Sequence, residues 1–127
     1  MRYLNELDLR KIGERLWRQL DNFAFESDLY PGVFVSPKGT VTNLASIPRI
    51  AWRIYPPVGN YDEAAVIHDA AVHGKLVTPT GERIHTIKSV ADNLFYEALR
   101  CETFRKSKVG PKTAAIMYFM VKNFGNY

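Results

Sequence analysis

The chain has 127 residues, of which 46% are apolar and 24% are charged, so it has the size and balance of one ordinary folded domain. Disordered and fibrous classes are disfavoured. A net charge of +4, from 17 basic and 13 acidic residues, is too weak and scattered to indicate a nucleic-acid partner. The single cysteine, Cys101, excludes an intramolecular disulfide and a cysteine-rich zinc module.

The N-terminal segment, residues 1–22, is expected to be helical or extended. Its apolar side chains have a partly helical spacing that a short amphipathic helix within residues 4–20 could use. The side chains concerned are Leu4, Leu7, Leu9, Ile12, Leu16 and Leu20.

Strands are predicted within residues 23–43. Turn chemistry appears at 28–32, where Tyr-Pro-Gly occurs. Two short β-branched or aromatic runs at 33–35 and 40–42 are separated by four residues with proline early and glycine late, which predicts a hairpin.

Residues 44–61 form an irregular connection punctuated by proline, with room for one short helix at 49–54. Three helices are predicted after it, within 62–125. The first starts near Asn60, which can cap it, and stops at Gly74.

The second predicted helix begins at 86–89 and runs to about Arg100, and the third has Pro111 in its first turn and ends at Gly125. The sequence therefore predicts an α+β fold. In this fold, an N-terminal β-hairpin or small antiparallel sheet packs on about three C-terminal helices in a single domain, residues 1–127.

Two ionisable residues, His68 and Asp69, lie among alanine and aliphatic residues in the first predicted helix. Asp92 in the second helix borders an apolar stripe. If the two helices pack antiparallel, Asp92 can reach one nitrogen of His68, which fixes the tautomer and leaves the other nitrogen to act as a base. The alternative is a buried hydrogen bond that only ties the helices together.

Asp69 lies about 100° around the helix from His68, so it cannot make the same contact. Its carboxylate could hold a hard cation such as Ca²⁺, with backbone carbonyl oxygens from the loop at 55–60. A zinc site built from His68, His73 and Asp92 is conceivable, but its spacing matches no strong metal signature.

Five ordered motifs, covering roughly residues 30–125, resemble an uncharacterised family found largely in tailed bacteriophages and prophages. The motifs are T-N-L-A-S-I-P-R at 42–49, P-P-V-G at 56–59, A-A-V-I-H-D at 64–69, A-D-N-L-F at 91–95, and M-Y with N-F-G at 117–125. The family usually has an acid at the position of Asn43 and an aromatic residue at that of Val72. Asn43 is thus a candidate metal ligand through its carbonyl oxygen.

The His68-Asp69 pair followed by Asp92 is also similar to the arrangement of secretory phospholipases of the A-two class. That resemblance implies His68 as the general base on water, Asp92 as the residue that orients it, and Asp69 as a Ca²⁺ ligand. The glycine-rich calcium loop and the disulfides of that class are absent from this sequence, and Val72 replaces an aromatic hydroxyl.

We therefore expect a bacteriophage virion or tail protein with a structural or assembly role, and, as the alternative, a small metal-assisted hydrolase acting on an envelope lipid or peptidoglycan. The partners expected are other virion proteins and further copies of the chain. Residues 1–6 lack the apolar stretch of a signal peptide, which favours synthesis in the host cytoplasm and association with the virion.

Overall fold

The computed structural model describes residues 1–14, 16–42, 61–104 and 108–124. Within these ranges the chain forms six strands followed by three helices, which confirms the α+β prediction. The strands are β1 (Arg2–Tyr3), β2 (Leu9–Gly13), β3 (Leu16–Gln19), β4 (Phe23–Ser27), β5 (Gly32–Ser36) and β6 (Val41–Thr42). The helices are α1 (Asp62–Val72), α2 (Lys88–Leu99) and α3 (Pro111–Phe124).

One antiparallel sheet has the strand order β1-β4-β5 and carries the aromatic core. The side chains of β4 alternate, so Phe23, Phe25 and Ser27 are buried on the face that meets the helices. Phe25 lies opposite Phe34 in the register. The predicted turn at 28–32 connects β4 to β5, and α1 and α2 pack against these strands.

The second antiparallel sheet has the order β2-β3-β6, and it corrects two predictions. The helix proposed within residues 4–20 is wrong. Lys11 pairs with Trp17 across an antiparallel strand pair of neighbouring residues, and this pairing overrides the leucine spacing. Leu16 and Leu20, two of the residues that gave the helical spacing, are exposed.

The hairpin predicted from 33–35 and 40–42 is also wrong, because β5 and β6 belong to different sheets. The physical reason is Gln19 of β3. Its backbone N–H donates to the Thr40 carbonyl at 2.9 Å, and its carbonyl accepts from the Gly39 N–H at 3.0 Å. Its side-chain amide donates to the Ser36 carbonyl at 3.0 Å, so this buried residue separates the two runs.

The three predicted helices are confirmed to within about two residues at each described end. Gly74, with φ of +65°, follows α1 in a conformation that disfavours a side chain. The proposed Asn60 cap, the Pro-rich connection, its short helix at 49–54 and the Gly125 stop lie outside the described residues. Within the described ranges no helix is long and apolar enough to cross a membrane.

Candidate functional site

The site is formed where α1 crosses α2. Helix α1 packs against α2, and four small residues of α1 are almost completely buried: Ala64, Ala65, Ala70 and Ala71. Successive contacts run forward in sequence towards and along α2 and backward along α1. Thr86 reaches the Ala71 carbonyl at 2.7 Å near one end, and Asp92 meets His68 further along, as expected for antiparallel packing.

His68 and Asp92 are the centre of the site. Nε2 of His68 lies 2.8 Å from Oδ1 of Asp92, and each side chain is 2% exposed. The imidazole also packs against the Phe95 ring, with 5.1 Å between ring centroids. The predicted contact between the two helices is confirmed. The catalytic roles of the two residues stay predictions.

Lys88 occupies the other oxygen of the same carboxylate. Its Nζ lies 2.9 Å from Oδ2 of Asp92, and the two residues are one helical turn apart on α2. The same Nζ donates to the backbone carbonyl of Lys122 in α3 at 2.8 Å. Sequence reasoning missed Lys88, although its spacing of four residues from Asp92 is the spacing that places a lysine beside a carboxylate on a helix.

The contact defines which ring nitrogen faces the carboxylate. An ionised carboxylate can only accept, so Nε2 of His68 donates to Oδ1 of Asp92. In a neutral imidazole that donates from Nε2, Nδ1 is the basic nitrogen. The same hydrogen bond also stabilises the pairing of α1 with α2.

Asp69 lies on a different side of α1. Its Oδ1 is 3.2 Å from Nε2 of His73, one turn further along, and the pair borders an open groove of about 370 Å³. His73 is 52% exposed, whereas Asp69 is 16% exposed. The groove is also lined by Leu16, Val41, Thr42 and Lys75.

A metal at Asp69 stays a prediction. Ca²⁺ prefers oxygen donors, but Asp69 has an imidazole as its partner. Among the residues that the structure describes, no three histidine, cysteine or acidic side chains converge on a metal position, so the conceivable zinc set is not assembled there. Asn43 and the loop at 55–60, the other proposed ligands of Ca²⁺, lie outside the described residues.

Two neighbouring networks on α2 were also missed by sequence reasoning. Asn93 donates to the Tyr30 hydroxyl at 2.9 Å and accepts from the Tyr118 hydroxyl at 3.0 Å, so it links the β4–β5 turn to α3.

Glu97 is buried, and its carboxylate accepts from the Ser27 hydroxyl and from the Asp28 and Leu29 amides. The sequence did offer a signal for both residues, because each is a polar residue beside the apolar stripe of α2.

These features define a small α+β protein with a buried His–Asp pair between two helices. Residues 17–121 match the family described as "Protein of unknown function (DUF1353)", and the chain belongs to that family. Comparison with curated proteins gives no match, and comparison with solved structures gives none either. The expected membership of an uncharacterised family is confirmed, while its bacteriophage origin and the similarity to phospholipases stay predictions.

Proposed function

We propose that the protein is a small hydrolase in which His68 acts as the general base on water and Asp92 orients it. The observation that carries this proposal is the 2.8 Å contact between Nε2 of His68 and Oδ1 of Asp92 in a buried setting. Its substrate class would be an ester or amide of the cell envelope, in a phospholipid or in peptidoglycan.

For an ester, the proposed reaction is direct attack by water. Nδ1 of His68 takes a proton as the water oxygen bonds to the carbonyl carbon, and the resulting imidazolium is stabilised by Asp92. The bond from carbon to the leaving oxygen then breaks, and His68 returns the proton to that oxygen. An acid and an alcohol are produced, and no oxidant or further reactant is consumed.

The proposal is tested on phosphatidylethanolamine vesicles and on peptidoglycan fragments by following the acid or amine released. His68→Gln is the decisive variant, since an amide can still donate to Asp92 but cannot act as a base. His73→Gln, directly after the same helix, is the matched control. Release that is lost only with His68→Gln supports the proposal, whereas no release from either substrate by the wild type contradicts it.

Ca²⁺ remains a separate proposal for Asp69, and no step above depends on it. Its other ligands would be Asn43 and carbonyl oxygens of the loop at 55–60, and the bound ion would stabilise a developing oxyanion. Calorimetric titration with Ca²⁺ and, separately, Zn²⁺ tests it. Stoichiometric heat that is lost in Asp69→Asn supports a metal at this residue, and no heat with either ion contradicts it.

A second proposal, compatible with the first, is a structural or assembly role in a bacteriophage virion or tail. The observation that favours it is the exposed apolar pair Ile116 and Phe119, which are 44% and 57% exposed and one turn apart on α3. Quantitative mass spectrometry of purified particles tests this role. A fixed copy number per particle supports it, and absence from particles contradicts it.

A further inference from the structure

The first residue of α2 has a positive charge, which is unfavourable in the dipole of that helix. Lys88 is the first residue of α2, and the first turn of this helix contains no acidic residue. A cation at a helix N-terminus is disfavoured by the helix dipole. Local helix stability therefore does not explain this lysine, and its tertiary contacts are the better explanation.

The two oxygens of the Asp92 carboxylate accept from different donors. Oδ2 lies 2.9 Å from Nζ of Lys88, and Oδ1 lies 2.8 Å from Nε2 of His68. With one oxygen held by an ammonium group, the carboxylate cannot turn about its side-chain bond without losing a charge-assisted hydrogen bond. The position of Oδ1 opposite the imidazole is thereby defined.

The same ammonium group reaches α3. It donates at 2.8 Å to the carbonyl of Lys122, which lies in the last turn of α3, where backbone carbonyls lack partners within their own helix. A cation is favoured at this end of a helix. Lys88 therefore links the end of α3 to the carboxylate that contacts His68.

We propose that Lys88 is a positioning residue that holds Asp92 in the orientation required by His68 and couples that orientation to the seating of α3. Its importance for turnover rests on the proposed hydrolase function. Its effect on the His68–Asp92 hydrogen bond does not, so the two proposals can fail separately.

The test is NMR of the His68 ring at one fixed pH, following the exchange of the Nε2 proton with water. Lys88→Met should accelerate this exchange by about tenfold, which corresponds to the loss of one hydrogen bond to a charged group. Lys88→Arg should restore slow exchange because it returns the cation. Lys112→Met, which removes an exposed lysine from the first turn of α3, is the charge-matched control.

Unchanged exchange in a folded Lys88→Met variant would overturn the proposal, as would equal acceleration in Lys112→Met. If Lys88→Met does not fold, Lys88→Gln provides the same comparison, since it removes the charge and keeps a donor. Altered exchange together with an inactive wild type would leave Lys88 as a positioning residue and would reject the hydrolase.

Discussion

Asp92 places Oδ1 2.8 Å from Nε2 of His68 across 24 residues of sequence, and both side chains are withdrawn from solvent. A buried carboxylate is costly unless it is paired and hydrogen-bonded. Here the imidazole and the Lys88 ammonium group each contact one oxygen. This relationship links α1 to α2, and it is the contact on which the proposed base role of His68 rests.

Asp92→Ala should lower the free energy of unfolding by about 1–3 kcal/mol, because it removes the acceptor that faces Nε2 of the buried His68. Urea denaturation followed by circular dichroism measures this change. Glu102→Ala, which removes an exposed carboxylate close to the end of α2, is the control and should change stability little. Equal stability of Asp92→Ala and wild type would show that the contact contributes nothing in solution.

Glu97→Gln should destabilise the β4–β5 turn by about 1–3 kcal/mol, since an amide has one acceptor oxygen where the carboxylate has two. In the wild type, Oε2 accepts from the Asp28 and Leu29 amides at 2.8 and 3.1 Å. Hydrogen exchange of these two amides should become faster in the variant. Exchange that accelerates equally in α3 would instead indicate a general loss of stability.

Tyr3 should contribute to loss of stability at alkaline pH. Burial, and then the nearby Glu63 carboxylate, raise the pKa of Tyr3 well above its ordinary value of 10. A raised folded-state pKa means that the stabilisation is complete below about pH 10 and declines as pH rises above the unfolded value.

Tyr3→Phe should therefore reduce the fall of unfolding free energy above pH 10, by up to about 1.4 kcal/mol per pH unit. It should also lower stability at neutral pH, because the Tyr3 hydroxyl donates to the Ala98 carbonyl at 3.0 Å. Tyr96→Phe is the control. An identical alkaline slope in Tyr3→Phe and wild type would contradict the assignment.

Cys101 should react slowly with thiol reagents in the folded protein. Burial raises the pKa of this thiol, which keeps it protonated, and the thiolate is the reactive form. Labelling with iodoacetamide at pH 8 should be much faster in urea than in buffer. Similar rates in both conditions would show that the thiol is accessible in the native state.

The helical half of the fold was predictable because its signals are local. Proline in the first turn of α3, glycine after α1 and apolar spacing along α2 each act within one element. The contact of His68 with Asp92 was also predictable, since a carboxylate on an apolar stripe needs a buried partner. The imidazole of α1 was the natural partner.

The strand pairing was not predictable in the same way. The β3–β6 pair and the burial of Gln19 depend on contacts between residues far apart in sequence, and short strands carry weak local preferences. Lys88 was missed for a similar reason. Its spacing from Asp92 is visible, but its contact with the Lys122 carbonyl requires the position of α3.

The most direct test of the central claim compares turnover with stability in His68→Gln and His73→Gln. The hydrolase account predicts that His68→Gln loses release of acid or amine from the envelope substrate by a factor of about 100 or more, the usual contribution of a general base. It also predicts that His68→Gln still unfolds cooperatively and that His73→Gln keeps its activity. Equal activity of wild type and a folded His68→Gln would contradict the account and leave the His68–Asp92 contact as a tie between two helices.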